Sequence, residues 1–251
     1  MPSPGTTSTG FEPPRRAAFV TTHWSVVLSA QEKASPQSRA ALEKLCRTCW
    51  YPLYAYVRRY GHSPEDAQDL TQEFFARLLQ QNWLARADRE KGRFRSFLLM
   101  AMKRFLAKEW DKARTLKRGG HIRLIPFPFD TAETRYAQEP AATSTPEQVF
   151  EKQWALALLE VVLGRVRKEY ADSGRDELFV GLKDTLTGGR SEIPYRELAA
   201  RLGLSEGAVK VAAHRLRQQY RERLREEIAS TVAGPEEVEE ELKLLFAALS
   251  P

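Results

Sequence analysis

Cysteine is close to absent from this chain, and its scarcity removes several classes of protein at once. Cys46 and Cys49 are the two cysteines in 251 residues, and the four histidines stand far from them and from one another at positions 23, 62, 121 and 214. Two thiolates with no second cysteine pair and no neighbouring imidazole do not close a tetrahedral zinc site. The pair is therefore read as buried thiols on a helix. No apolar run reaches the roughly 20 residues that a bilayer-spanning helix needs. The first residues lack the basic, apolar and small-residue order of a secretory signal, so a cytoplasmic protein is expected. Neither a glycine-rich phosphate-binding loop nor a paired nucleophile and base is found. Strand-like alternation is almost missing too, which leaves an all-α fold as the expectation.

What is present is charge, unevenly placed. The chain carries +6 overall, but residues 1–118 hold 21 Lys and Arg against 11 Asp and Glu (net +10), while 119–251 hold 18 against 22 (net −4). The first part is thus the expected polyanion binder, with a local basic cluster in the second. Residues 1–20, rich in Pro, Gly, Ser and Thr, are expected to be a disordered tail. A first helical domain is expected over 21–118. Within it, apolar residues recur at helical spacing from Leu42 to Tyr60, interrupted at Pro52 and stopped by Gly61, and Ser63-Pro64 then starts a helix over 64–81. A loop at 85–93 leads to a long helix over 94–117. Residues 119–148, with four prolines between His121 and Gln148 and no sustained period, are expected to be a flexible linker without a core element. A second helical domain is expected over 149–230, and a short acidic helix over 231–251.

The stretch "ELAARLGLSEGAVKVAAHRLRQQY" has the outline of a helix-turn-helix. Tyr195, Leu198, Ala199 and Leu202 fall at i, i+3, i+4 and i+7, Gly203 suits a left-handed helix exit, and Ser205 suits an N-cap. On the second helix, Val209, Ala212, Ala213, Leu216 and Tyr220 share one side. Gly207, Lys210, Val211, His214, Arg215, Arg217 and Gln218 share the other, as a helix lying in a major groove requires. A solvated amphipathic helix would carry surface cations as well, and the tight helix-Gly-Leu-Ser-helix geometry favours DNA.

Two further helices carry chemistry. In "PEDAQDLTQEFFARLLQQ", Ala67, Leu70, Phe74 and Leu78 form an apolar face opposite Asp69, Gln72, Glu73, Ala76 and Gln80. This acid-amide stripe beside Phe75 and Arg77 suits either a protein-docking face or plain solvated surface. In "GRFRSFLLMAMKRFLAKEWDKAR", Leu98, Met102, Phe105 and Leu106 form a core stripe beside the basic row Arg104, Lys108, Lys112 and Thr115. Cations for phosphates mixed with ring faces from Phe94, Phe97 and Trp110 are what a single strand of DNA needs, each base stack being worth about 1–3 kcal/mol.

Taken in order, these three stretches resemble one family, the bacterial RNA polymerase sigma factors of the sigma-70 superfamily, extracytoplasmic-function type. "SPEDAQDLTQEFFARLL" resembles the family's region-2 docking helix, "GRFRSFLLMAMKRFLAKEWDKAR" its promoter-melting and −10-reading helix, and "PYRELAARLGLSEGAVKVAAHRLRQQYRERLRE" its region 4, the −35 reader. The resemblance covers roughly 42–117 and 150–227. It implies two helical domains, region 2 over 21–118 and region 4 over 149–230, and a non-catalytic initiation subunit that uses no cofactor or metal. It implies that Asp69, Leu70, Gln72, Glu73 and Arg77 bind core RNA polymerase at the β′ clamp helices, with the β flap as a second polymerase contact. Lys91, Arg93, Arg95, Phe97, Arg104, Lys108 and Lys112 would bind and open the −10 element. Ser205, Gly207, Lys210, Val211, His214 and Arg215 would face the −35 element. Promoter DNA is the other implied partner, an anti-sigma protein is a candidate regulator, and no membrane is involved. The chain departs from the family where members often carry Arg-Asn and Asp, and it has Lys103-Arg104 and Lys108.

The main alternative is a free-standing helix-turn-helix regulator that binds duplex DNA alone, as a dimer on paired half-sites. A nucleic-acid-processing enzyme with carboxylates at Asp66, Asp69 and Glu73 is a third reading, and no helical histidine accompanies those acids as di-metal bundles require.

Overall fold

Helix α1, Pro36–Arg59, is the hub of the fold because its second half is apolar on every side. Each residue from Trp50 to Val57 is buried, and a helix apolar all round is stable only inside a bundle. The sequence pattern predicts an interruption at Pro52, yet the helix runs through it. Proline in a helix interior costs about 3 kcal/mol through a lost hydrogen bond and a ring clash. Burial of Trp50, Leu53, Tyr54 and Tyr56 around it offsets that cost, at about 1.5–3 kcal/mol for a large apolar side chain. Cys46 and Cys49 lie on the same helix as buried thiols, and burial pushes the Cys49 thiol well up.

The computed structural model describes residues 36–80, 92–113, 131–138, 144–187 and 194–250. The expected N-terminal tail, the loop at 85–91 with Lys91, and most of the expected linker lie outside the described residues. Among the described residues there are nine α-helices, two short 3-10 segments and no strand, in keeping with the all-α expectation.

Helix α2, Pro64–Gln80, packs on α1, and α3, Phe94–Ala113, packs on α2. The Ser63 hydroxyl accepts from the Asp66 N–H at 3.1 Å, capping α2 where Ser63-Pro64 predicts a start. Ala67, Phe74 and Leu78 of α2 are buried, as are Leu98, Met102, Phe105 and Leu106 of α3. The Phe74 and Phe105 rings meet edge to face at 5.8 Å.

Part of the expected linker is ordered against α1. Residues Ala132–Ala137 form helix α4 with Ala132 buried. Its Glu133 carboxylate accepts from Arg58 Nε at 2.7 Å and from the Tyr54 hydroxyl. The Arg135 guanidinium stands 4.0 Å from the centroid of the Tyr51 ring. Six residues are too few to show a helical period or to hold a helix alone, and the partners that hold this one are far away in sequence.

Helix α5, Pro146–Asp172, begins with a capping box: the Thr145 hydroxyl accepts from the Gln148 N–H, and the Gln148 side chain accepts from the Thr145 N–H. It lies along α1, so the described parts of the two helical blocks share one hydrophobic core. Helix α6, Asp176–Leu182, leads through a 3-10 segment, Lys183–Thr187, toward α7, Tyr195–Leu202. A Cβ at Gly181 of α6 would stand 2.5 Å from Leu198 Cδ1 of α7, so glycine is what permits this approach. Helix α8, Glu206–Ala229, packs on α5, where the Tyr220 hydroxyl donates to the Leu159 carbonyl at 3.3 Å. After Gly234 and a 3-10 segment, Pro235–Glu237, helix α9, Val238–Leu249, returns to α5 and α8.

Candidate polymerase-docking and nucleic-acid surfaces

The α7–α8 pair has the geometry of a helix-turn-helix for local reasons. Gly203 takes φ 64°, where a side-chain-bearing residue is strained, and the Leu204 N–H closes the turn on the Ala199 carbonyl at 2.9 Å. The Ser205 hydroxyl accepts from the Ala208 N–H at 3.1 Å, so this residue starts α8 as its cap. Val209, Ala213 and Leu216 then point inward and are buried, while Ala212 and Tyr220 are half-buried. Gly207, Lys210, Val211, His214 and Arg215 are all exposed along the opposite row. Lys210 Nζ lies 2.7 Å from Glu206 at the helix start, and that contact holds the ammonium charged well up the pH scale. An exposed pair of this kind contributes little to stability and can yield to a phosphate. Beside the row runs a groove of about 260 Å³ floored by Tyr170, Leu178 and Ala212 and edged by Arg175 and Arg215.

On α2 the acid-amide stripe is only partly exposed. Asp69 is exposed, and Leu70, Gln72, Glu73 and Arg77 are half-buried. Arg77 is bonded to Glu73 one turn before it and to Glu109 of α3 at 2.6 Å, and it lies over the Phe105 ring at 5.1 Å. The sequence pattern sets Phe75 beside this stripe and Ala76 within it, but both side chains are buried. The apolar face of α2 is wider than a single stripe because α2 touches both α1 and α3.

The expected −10 residues divide into two groups along α3. Arg104 and Lys108 are exposed. Lys91 and the side chain of Lys112 lie outside what is described. The start of the helix is different: Arg93 and Arg95 both turn toward α9. Arg93 Nε lies 2.8 Å from the Glu241 carboxylate, and its other end is 3.1 Å from Glu240. Arg95, 6% exposed, donates to Glu241 from Nε at 2.6 Å and from Nη2 at 3.1 Å, and it also pairs with Glu151 of α5. Phe94 is buried and Phe97 half-buried, so of the three aromatic residues named on this helix only Trp110, 63% exposed, presents its ring to solvent. Trp110 borders an open cleft of about 560 Å³ with Tyr60, His62 and Lys103.

The residue that the sequence pattern does not single out is Glu241. Val238, Glu241, Leu242, Leu245 and Leu249 fall at i, i+3, i+4, i+7 and i+11, which puts a carboxylate inside the apolar stripe of α9. A charge in that position has to meet an opposite charge, and this was the available signal. The carboxylates Asp66, Asp69 and Glu73 do not gather into a metal-holding group, and no such group is found among the described residues. No described helix is long and apolar enough to cross a membrane.

Comparison with known proteins bears on what these surfaces do. The family model for sigma-70 region 2 matches residues 51–115, which contain the last nine residues of α1 and all of α2 and α3. The chain is 30% identical over 182 residues to the ECF RNA polymerase sigma factor SigE of Mycolicibacterium smegmatis, a match that covers 71% of this chain and spans 60% of that relative's length. No solved structure matches. The region-2 model lies on α2 and α3 and the SigE likeness extends beyond them, so residues 51–115 match sigma-70 region 2 and the chain as a whole is similar to sigma factors of extracytoplasmic-function type.

Proposed function

We propose that this chain is a dissociable, non-catalytic subunit that directs core RNA polymerase to a restricted set of promoters. The observation that carries the reading is the exposed row Gly207, Lys210, Val211, His214 and Arg215 on the second helix of a helix-turn-helix, in a chain whose residues 51–115 match sigma-70 region 2. In this reading α8 enters the major groove of the −35 element. Gly207 allows close approach, and Lys210, His214 and Arg215 donate to base edges or phosphates, with each good bidentate base contact worth about 1–3 kcal/mol. Ser205 takes part by fixing where α8 begins.

The α3 surface takes the other promoter element. Arg104 and Lys108 hold phosphates of the separated strand, Arg93 and Arg95 join them, and Trp110 offers its ring to an unstacked base, offsetting a few kcal/mol of unstacking. Asp69, Leu70, Gln72, Glu73 and Arg77 on α2 bind the polymerase clamp. The sigma subunit supplies recognition and strand capture, and the polymerase supplies the chemistry.

Run-off transcription from fragments of the source genome, with core polymerase and this chain, tests the reading. The expected result is a small set of discrete transcripts, absent with core alone. Replacement of Arg215 by Ala is expected to weaken them and leave core binding intact. Tight sequence-specific duplex binding by the protein alone, with no transcripts from core, would support a free-standing regulator.

A further inference from the structure

Two arginines that the −10 surface needs are already occupied by carboxylates from the same chain. Glu241 is 1% exposed and bridges Arg93 and Arg95, and Glu240 reaches Arg93 from the next position. A carboxylate bridging two guanidinium groups makes the same charge-assisted, forked contacts as a nucleic-acid phosphate does with arginine. The entry to α3 is also held nearby, where the Phe94 N–H donates to the Thr231 carbonyl at 3.0 Å, three residues before the Gly234-Pro235 turn into α9.

The remaining hold on α9 is modest. Val238, Glu241 and Leu245 are its only buried residues, and Leu242 and Leu249 are half-buried in a crevice between α5 and α8. Outside the crevice α9 makes one exposed pair, Glu239 with Arg225 of α8 at 2.8 Å. A short helix with few buried apolar residues belongs to the low-stability end of a fold, where local opening is easiest.

We propose that α9 is an intramolecular competitor for nucleic acid: Glu240 and Glu241 occupy the phosphate positions of the Arg93–Arg95 edge, and a single strand engages that edge only after α9 has left it. The inference rests on the −10 reading of α3 and adds a regulator of that surface. Arg95 keeps a second carboxylate, Glu151, when α9 leaves, so Arg93 is the arginine vacated first.

The test is fluorescence anisotropy of labelled oligothymidylate titrated with the full chain, wild type against the E240Q/E241Q double variant, over a series of salt concentrations. Oligothymidylate reports phosphate contacts without requiring the promoter sequence. The double variant is expected to bind roughly threefold to tenfold tighter at low salt, with a log–log salt slope steeper by about 0.7 for each arginine released. E239Q removes one negative charge from the same helix without touching the two arginines, and it is expected to behave as wild type. Equal binding by wild type and E240Q/E241Q, or equal gains in E240Q/E241Q and E239Q, would overturn the proposal.

Hydrogen exchange on the wild-type chain gives a readout that does not depend on the variants folding. Residues 238–249 are expected to lose amide protection when oligothymidylate or core polymerase is added, and retained protection in a saturated complex overturns the proposal. A wild type that initiates transcription while α9 stays protected sinks this inference alone. A wild type that gives no core-dependent transcripts sinks the sigma reading.

Discussion

Two arginines proposed to meet DNA illustrate how differently one side chain can behave at two places in the molecule. Arg215 is exposed on α8, so replacing it with Ala is expected to leave thermal stability within about 0.5 kcal/mol of wild type. The same change is expected to cost about 1–3 kcal/mol in specific duplex binding, measured by competition against non-specific DNA. Arg95 is buried between Glu241 and Glu151. Its replacement by Ala takes a guanidinium from both Glu151 and Glu241, the latter keeping Arg93, and is expected to cost about 3 kcal/mol of folding stability, read from urea melts. An Arg95→Ala variant as stable as wild type would contradict the buried triad. Its charge and its place at the start of a basic helix are legible in the sequence, but its partners are not, since Glu241 lies 146 positions away.

Helices announced by their own ends were legible, and helices held by distant partners were not. Ser63-Pro64 starts α2, Gly203 ends α7, and Ser205 starts α8, each through a contact made within a few residues. Ser205→Ala is accordingly expected to cost about 1 kcal/mol, seen in thermal melts, with loss of duplex affinity following from a frayed α8 start. Helix α4 has no such signal and depends on Glu133. Hydrogen bonds from Arg58 hold the Glu133 carboxyl below its usual range, with the Tyr54 hydroxyl adding to the effect. A carboxyl lowered in the folded state contributes stability that is present above the ordinary carboxylate pKa of about 4.3 and is lost as the pH falls through the lowered value. Glu133→Gln should therefore destabilise the chain at neutral pH and flatten its loss of stability on acidification, measured by denaturant melts at neutral and acidic pH. Parallel curves for wild type and variant would show that α4 is not held this way.

At the scale of the whole molecule, α1 and α5 share a core that joins the region-2 helices to those of the helix-turn-helix, and α9 closes over the junction of α3, α5 and α8. The charge split along the chain is visible in its composition, but the shared core depends on apolar faces meeting across the 119–148 segment, which no local pattern records. Thermal unfolding is expected to be one cooperative transition, with helical circular dichroism and tryptophan fluorescence coinciding; two separate transitions would mean that the halves hold together independently. In the sigma reading, the α2 face that meets polymerase is separate from the closed junction, with Asp69 exposed and Glu73 within reach of solvent while still tied to Arg77. The most direct measurement is gel filtration of the purified chain with bacterial core RNA polymerase, wild type beside Glu73→Lys. The account predicts that wild type co-elutes with core and that the charge-reversed variant, still folded, does not. A folded wild type that elutes apart from a core competent for another sigma factor would contradict it.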